Sequence, residues 1–139
     1  MQQSIILDST VLIQAERKGL NARQALTLVM EKLGSSEVGI SVVTTLEFAH
    51  GIARADTAER RAKRQGFLDE LLRAVPVHPV TLAIALRAGQ IDGMNSSQGI
   101  RVPLGDLLIG VTALEAGFGV ATANVRHFGM IPGLDVVTV

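Results

Sequence analysis

The sequence predicts an α/β domain in which a central parallel sheet of four to five strands lies between two layers of helices. Short aliphatic or β-branched runs alternate with longer helical stretches along all 139 residues. That is the order a parallel sheet needs, because each return to the starting edge requires a crossover segment. The strand-like runs are apolar throughout rather than alternating, as strands buried on both faces are. Hydrophobic residues make up 47% of the chain and charged residues 19%, which suits one domain spanning 1–139 and excludes a disordered chain.

Each element has a local reason. Ser4 to Leu7 is a short buried strand. Thr10 to Lys18 is helical and stops at Gly19. Asn21 caps a second helix, with Gln24 as its capping-box partner, and Gly34 ends that helix after Leu33. Val38 to Val43 is a β-branched strand. A third helix begins at Thr44 and runs to about Ala55. Thr57 to Ala74 is a long charged helix with Ala58, Ala62, Phe67, Leu68, Leu71 and Leu72 as its inner face. Pro76 to Pro79 is an edge strand at best, since proline is tolerated mainly at edges. Thr81 to Gln90 is helical, and Met94 to Val102, rich in Asn, Ser and Gly, is a loop. Pro103 opens a helix that Gly117 closes after Ala116. Gly119 to Thr122 and Val136 to Val139 are the last two strands.

Composition excludes several classes. With no cysteine there is neither a disulfide framework nor a thiolate metal site, which fits a cytoplasmic protein. Thirteen basic and thirteen acidic residues cancel, so net charge does not advertise nucleic-acid binding. The start, Met1-Gln2-Gln3-Ser4, lacks the basic region of a signal peptide. The apolar stretch from Leu104 to Ala121 contains Asp106 and Glu115, and so predicts a core helix and strand, not a membrane span.

Four polar residues stand where a parallel-sheet enzyme places its site. Asp8 follows the first strand, Glu47 lies just past the second, Asp106 opens a helix, and Asn124 follows the penultimate strand. Ligands of open parallel sheets gather at the carboxyl ends of the strands. Carboxylates converging there without thiolate or imidazole companions suit a hard, oxygen-preferring cation such as Mg2+ or Mn2+. Each also has a purely local explanation. Asp8 could cap the helix near Thr10. Thr44-Thr45-Leu46-Glu47 has the spacing of a capping box. Asp106 could complement a helix dipole, and Asn124 could cap a turn through Val125 to Phe128. The agreement of all four on one sheet edge favours a shared site.

Other motifs do less. Gly117-x-Gly119 precedes a strand and lacks a dinucleotide fingerprint's third glycine. There is no phosphate-binding Gly-Lys-Ser/Thr loop. A phosphoacceptor receiver domain needs a second adjacent acid and a late lysine, and both are missing. His50, His78 and His127 have no ligand spacing and are expected to be packed or solvated. The Arg60-Arg61-Ala62-Lys63-Arg64 cluster predicts a solvated helix face, with Arg60, Arg61 and Arg64 as weaker candidates for RNA-backbone contact.

The order and wording of these segments resemble the PIN-domain ribonucleases, particularly the VapC-type toxins of toxin–antitoxin pairs. Ile6-Leu7-Asp8-Ser9-Thr10-Val11-Leu12-Ile13 resembles their opening, and Ile40-Ser41-Val42-Val43-Thr44-Thr45-Leu46-Glu47-Phe48-Ala49-His50-Gly51 their second motif. Pro103-Leu104-Gly105-Asp106-Leu107-Leu108-Ile109-Gly110 is similar to the third. Val120-Ala121-Thr122-Ala123-Asn124-Val125-Arg126-His127-Phe128, closed by Ile131-Pro132-Gly133-Leu134, resembles the fourth. The resemblance implies a PIN-like α/β/α fold and a metal-dependent endoribonuclease that leaves a 5′-phosphate and a 3′-hydroxyl. It implies Asp8, Glu47 and Asp106 as ligands of Mg2+, with Mn2+ able to substitute, and Thr10 and Thr122 as hydrogen-bonding support. Asn124 stands where many relatives carry a fourth aspartate and adds no charge, so one tightly held Mg2+ is expected. The implied partners are an RNA, a VapB-like antitoxin across the acidic pocket and a second copy of the toxin, with no membrane. The alternative is a catalytically weak PIN-fold binding module, which Asn124 alone favours.

Overall fold

The computed structural model describes residues 3–34 and 37–139. Among these residues five strands form one parallel sheet in the order β3-β2-β1-β4-β5. They are β1 (Ile5–Leu7), β2 (Val38–Ser41), β3 (Val77–His78), β4 (Gly119–Thr122) and β5 (Val136–Thr138). β1 pairs with β2 on one side and with β4 on the other, Ile6 lying opposite both Gly39 and Val120. The chain thus builds outward one way from β1 and then returns to build the other way. The β1–β4 boundary is the switch point at which a parallel sheet opens a crevice.

Among the described residues seven helices connect the strands: α1 (Ser9–Arg17), α2 (Ala22–Leu33), α3 (Val42–Ala53), α4 (Ala58–Ala74), α5 (Leu82–Ser97), α6 (Leu104–Ala116) and α7 (Val125–Phe128). They divide between the two sheet faces because the pleat sends successive side chains to opposite sides. Ile5 and Leu7 join Leu12, Leu26, Phe67 and Leu71 in one core, under α1 to α4. Ile6 joins Ile84, Leu107, Val111, Phe128 and Ile131 in the other, under α5 to α7. Three layers follow directly. No helix among the described residues is long and apolar enough to cross a membrane.

Several sequence expectations hold locally. Asn21 and Gln24 make both halves of the capping box, and Gly34 ends α2 in the left-handed conformation. β3 is an edge strand.

Four expectations are corrected. β2 ends at Ser41, and α3 takes Val42 and Val43, because the Ser41 hydroxyl accepts from the Val43 amide and starts the helix early. β-branched residues are tolerated there because the cap decides the backbone. The start at Val42 also removes the Thr44–Glu47 capping box. α5 runs on through Met94 to Ser97, where a loop was expected. Asn95 is buried and donates to the Met130 carbonyl, so tertiary contact outweighs local loop composition. On α4, Phe67, Leu68 and Leu71 are buried as expected, but Ala58, Ala62 and Leu72 are exposed. The inner face is one turn and a half, not the whole helix. The final strand stops at Thr138 rather than Val139.

Candidate metal centre

Asp8 follows β1 directly and is completely buried. It occupies the N-cap position of α1, yet its side chain caps nothing. Its Oδ2 accepts instead from Thr10 Oγ1 at 2.6 Å and from Thr122 Oγ1 at 2.8 Å. Thr122 ends β4, so the second bond crosses the switch point. Its hydroxyl oxygen in turn accepts from the Asn124 amide, which ties the turn after β4 to Asp8. Thr10 and Thr122 thus both donate to the one carboxylate of Asp8. A buried carboxylate is sustained only by such donors.

Glu47 lies in the second turn of α3, a helix anchored on α4 by stacking of Phe48 on Phe67 at 5.6 Å. Its Oε2 accepts from Ser9 Oγ at 3.0 Å, and the same hydroxyl lies 3.5 Å from Asp8 Oδ1. Its Oε1 is buried with no hydrogen-bond partner. Burial holds the Glu47 carboxyl above the usual glutamate range. The Ser9 bond offsets part of this, and the charges of Asp8 and Asp106 add to it.

Asp106 is in the first turn of α6, as the helix-dipole reading also required. Its Oδ2 lies 2.6 Å from His127 Nδ1. Burial raises the Asp106 carboxyl above the usual aspartate range. The hydrogen bond from His127 works against that, and the charge of Asp8 reinforces it. Asn124 precedes α7 without capping it; its amide meets His127 Nδ1 at 2.8 Å.

Ser9 links Asp8 to Glu47, and Asp8, Glu47 and Asp106 lie close enough for their charges to repel one another. Asn124 reaches it through His127. Two members went unnoticed in the sequence. Ser9 was hidden by its ordinary place after Asp8. His127 was expected to be packed or solvated, but the single turn of α7 puts positions three apart on one side, and the Asn124-x-x-His127 spacing was the available signal.

The donor chemistry fits a hard divalent cation. The donors are oxygens, two carboxyls resist ionisation because they are buried among like charges, and Glu47 Oε1 lacks a protein partner. No three His, Asp or Glu side chains among the described residues already close around one point. The fit therefore lies in charge and donor type rather than in a finished coordination sphere.

The three arginines are engaged elsewhere. Arg60 pairs with Asp56 at 2.9 Å on the exposed surface. Arg61 donates to the Ala55 carbonyl and Arg64 to the Gly51 carbonyl, so both brace the α3–α4 turn. Arg64 also lines a cleft of about 340 Å³ with Arg17, His50 and Glu47. It is the one of the three that borders a site carboxylate.

Comparison with known proteins agrees with this architecture. The family model of the PIN domain matches residues 5–131. Ribonuclease VapC10 of Mycobacterium tuberculosis is 38% identical over 130 residues, covering 94% of this chain and 90% of that protein. Ribonuclease VapC1 of Rickettsia felis is 26% identical over 135 residues, covering 97% and 96%. Among solved structures, VapBC2 from Rickettsia felis bound to a promoter DNA fragment superposes with a TM-score of 0.80 at 18% identity, over 97% of this chain and 98% of that one. DNA-bound VapBC from Salmonella typhimurium gives 0.77 at 25% identity, over 99% and 98%. With the family model spanning most of its length and a relative at 38% identity, this chain belongs to the PIN-domain family, in its VapC-type group.

Proposed function

We propose that this protein is a metal-dependent endoribonuclease, the toxin of a VapBC-type toxin–antitoxin pair. The observation that carries the reading is Glu47, whose Oε1 is buried and unpartnered and whose carboxyl feels the charges of both Asp8 and Asp106. Its kinship with named VapC ribonucleases supports the substrate class.

Asp8, Glu47 and Asp106 would hold Mg2+ or Mn2+. Such an ion, when bound, supplies charge neutralisation at the scissile phosphate and a more acidic water. The protein's own part is to keep the acceptors in place. Thr10 and Thr122 fix Asp8, and Ser9 links Glu47 to it. In the overall reaction water adds to phosphorus, the P–O3′ bond breaks, and the 3′-oxygen leaves with a proton. Arg64, beside Glu47, is the best placed of the arginines to meet a flanking RNA phosphate.

The partners follow from the same reading. Known relatives are solved as VapBC complexes, which supports a VapB-like antitoxin here. A basic side chain of that partner would complement the carboxylates. A homodimer is also proposed, supported by Leu82 and Leu86, one turn apart on α5 and 76% and 62% exposed. The proposed location is the cytoplasm.

Asp8→Asn is the direct test. The hydroxyls of Thr10 and Thr122 can rotate to suit an amide, so the fold should persist. RNA cleavage should fall about a hundredfold or more through loss of an oriented charged group. EDTA should abolish cleavage by the wild type. Cleavage that survives EDTA or Asp8→Asn, in protein free of contaminating nuclease, would overturn the metal mechanism, and a folded wild type that cleaves no RNA with Mg2+ or Mn2+ present would leave a PIN-fold binding module.

A further inference from the structure

We propose that His127 is a positioning residue for Asp106: its Nδ1–H fixes one carboxylate oxygen and so holds the other for the cation. The inference rests on the reading that Asp106 is a metal ligand.

Nδ1 is approached by two groups, Asp106 Oδ2 at 2.6 Å and the Asn124 side-chain amide at 2.8 Å. One ring nitrogen carries either a hydrogen or a lone pair. It cannot accept from Asn124 and donate to Asp106 at once. The bond to the carboxylate is the shorter and is charge-assisted, which places the hydrogen on Nδ1. Asn124 then turns its carbonyl oxygen toward that hydrogen, a half-turn that leaves the amide's shape unchanged.

The imidazole is well held for this task. Its neighbour Phe128 is fully buried and packs with Ile131 against Gly110 of α6, the helix that carries Asp106. Donor and acceptor thus sit on elements locked to each other. A free carboxylate turns broadly about its last bond. A donor fixed on Oδ2 removes that freedom, as outer partners of metal ligands do. In this role His127 acts only through Asp106.

The test is calorimetric Mn2+ titration of the full chain, with melting in EDTA as a check of folding. His127→Asn puts an amide nitrogen near the Nδ1 position, whereas His127→Gln puts it near Nε2. His127→Ala and His127→Gln should weaken Mn2+ binding about tenfold or more, and His127→Asn should keep most of the affinity. Wild-type affinity in His127→Ala, or equal affinities in the Asn and Gln variants, would overturn the role. If the Ala variant does not fold, the Asn and Gln pair decides. Asp106→Asn separates the two levels. If it binds Mn2+ like the wild type, the metal-site reading itself has failed. If it loses binding while every His127 variant retains it, only the positioning role has.

Discussion

Glu47 has one carboxyl oxygen on Ser9 and the other buried without a partner. That arrangement sets a pH dependence for the metal-free protein. Glu47 and Asp106 both hold a proton more readily in the folded chain than in an unfolded one. The folded state therefore binds more protons in the window running upward from the ordinary carboxylate range near about pH 4. Stability must fall as pH rises through that window. In EDTA, the double variant Glu47→Gln, Asp106→Asn should melt higher than the wild type at neutral pH, and the gap should close on acidification. A gap that stays constant with pH would show that these carboxyls are not the strained groups. Asp8, Glu47, Asp106 and Asn124 were legible as residues because each follows or opens an apolar run. Which were helix caps was not legible. Capping depends on where the helix starts, and Ser41 moved that start.

Gly110 shows how elements constrain one another. A β-carbon at this position would collide with Ile131 Cδ1 and would lie 3.1 Å from Leu134 Cδ2. The closing Ile131-Pro132-Gly133-Leu134 segment therefore packs directly on α6, which is a physical reason for both motifs to occur together. Gly110→Ala gains helix propensity but overpacks this contact, and the overpacking should win. With the overpacking cost at about 1–3 kcal/mol and the helix-propensity gain at about 1 kcal/mol, we expect a net loss of up to about 2 kcal/mol in urea unfolding. A stabilised variant would mean that the segment moves aside freely. The same coupling explains the misread length of α5. Asn95, Ser96 and Ser97 look like a loop in sequence, but Asn95 is buried by the Met130 region, and local propensity gives way to tertiary contact.

At the scale of the whole molecule, the exposed Leu82 and Leu86 on α5 predict self-association. Leu82→Glu with Leu86→Glu should halve the mass seen by light scattering and leave the circular dichroism spectrum unchanged. A wild-type protein that is already monomeric would remove the dimer from the proposal. The alternation of short apolar runs with amphipathic stretches was enough to determine a parallel sheet with helices on both faces, because chain connectivity allows few other ways to bury those runs. It also placed Asp8, Asp106 and Asn124 near strand or helix ends, since those positions are local. The strand order was beyond its reach. Only the folded sheet puts β4 beside β1, which brings Thr122 onto Asp8 across 114 positions of chain. Only the packing of α7 against α6 brings His127 to Asp106, 21 positions away. Periodicity records which face of an element is buried, whereas the site depends on which elements become neighbours, and that is settled by the packing of the two cores.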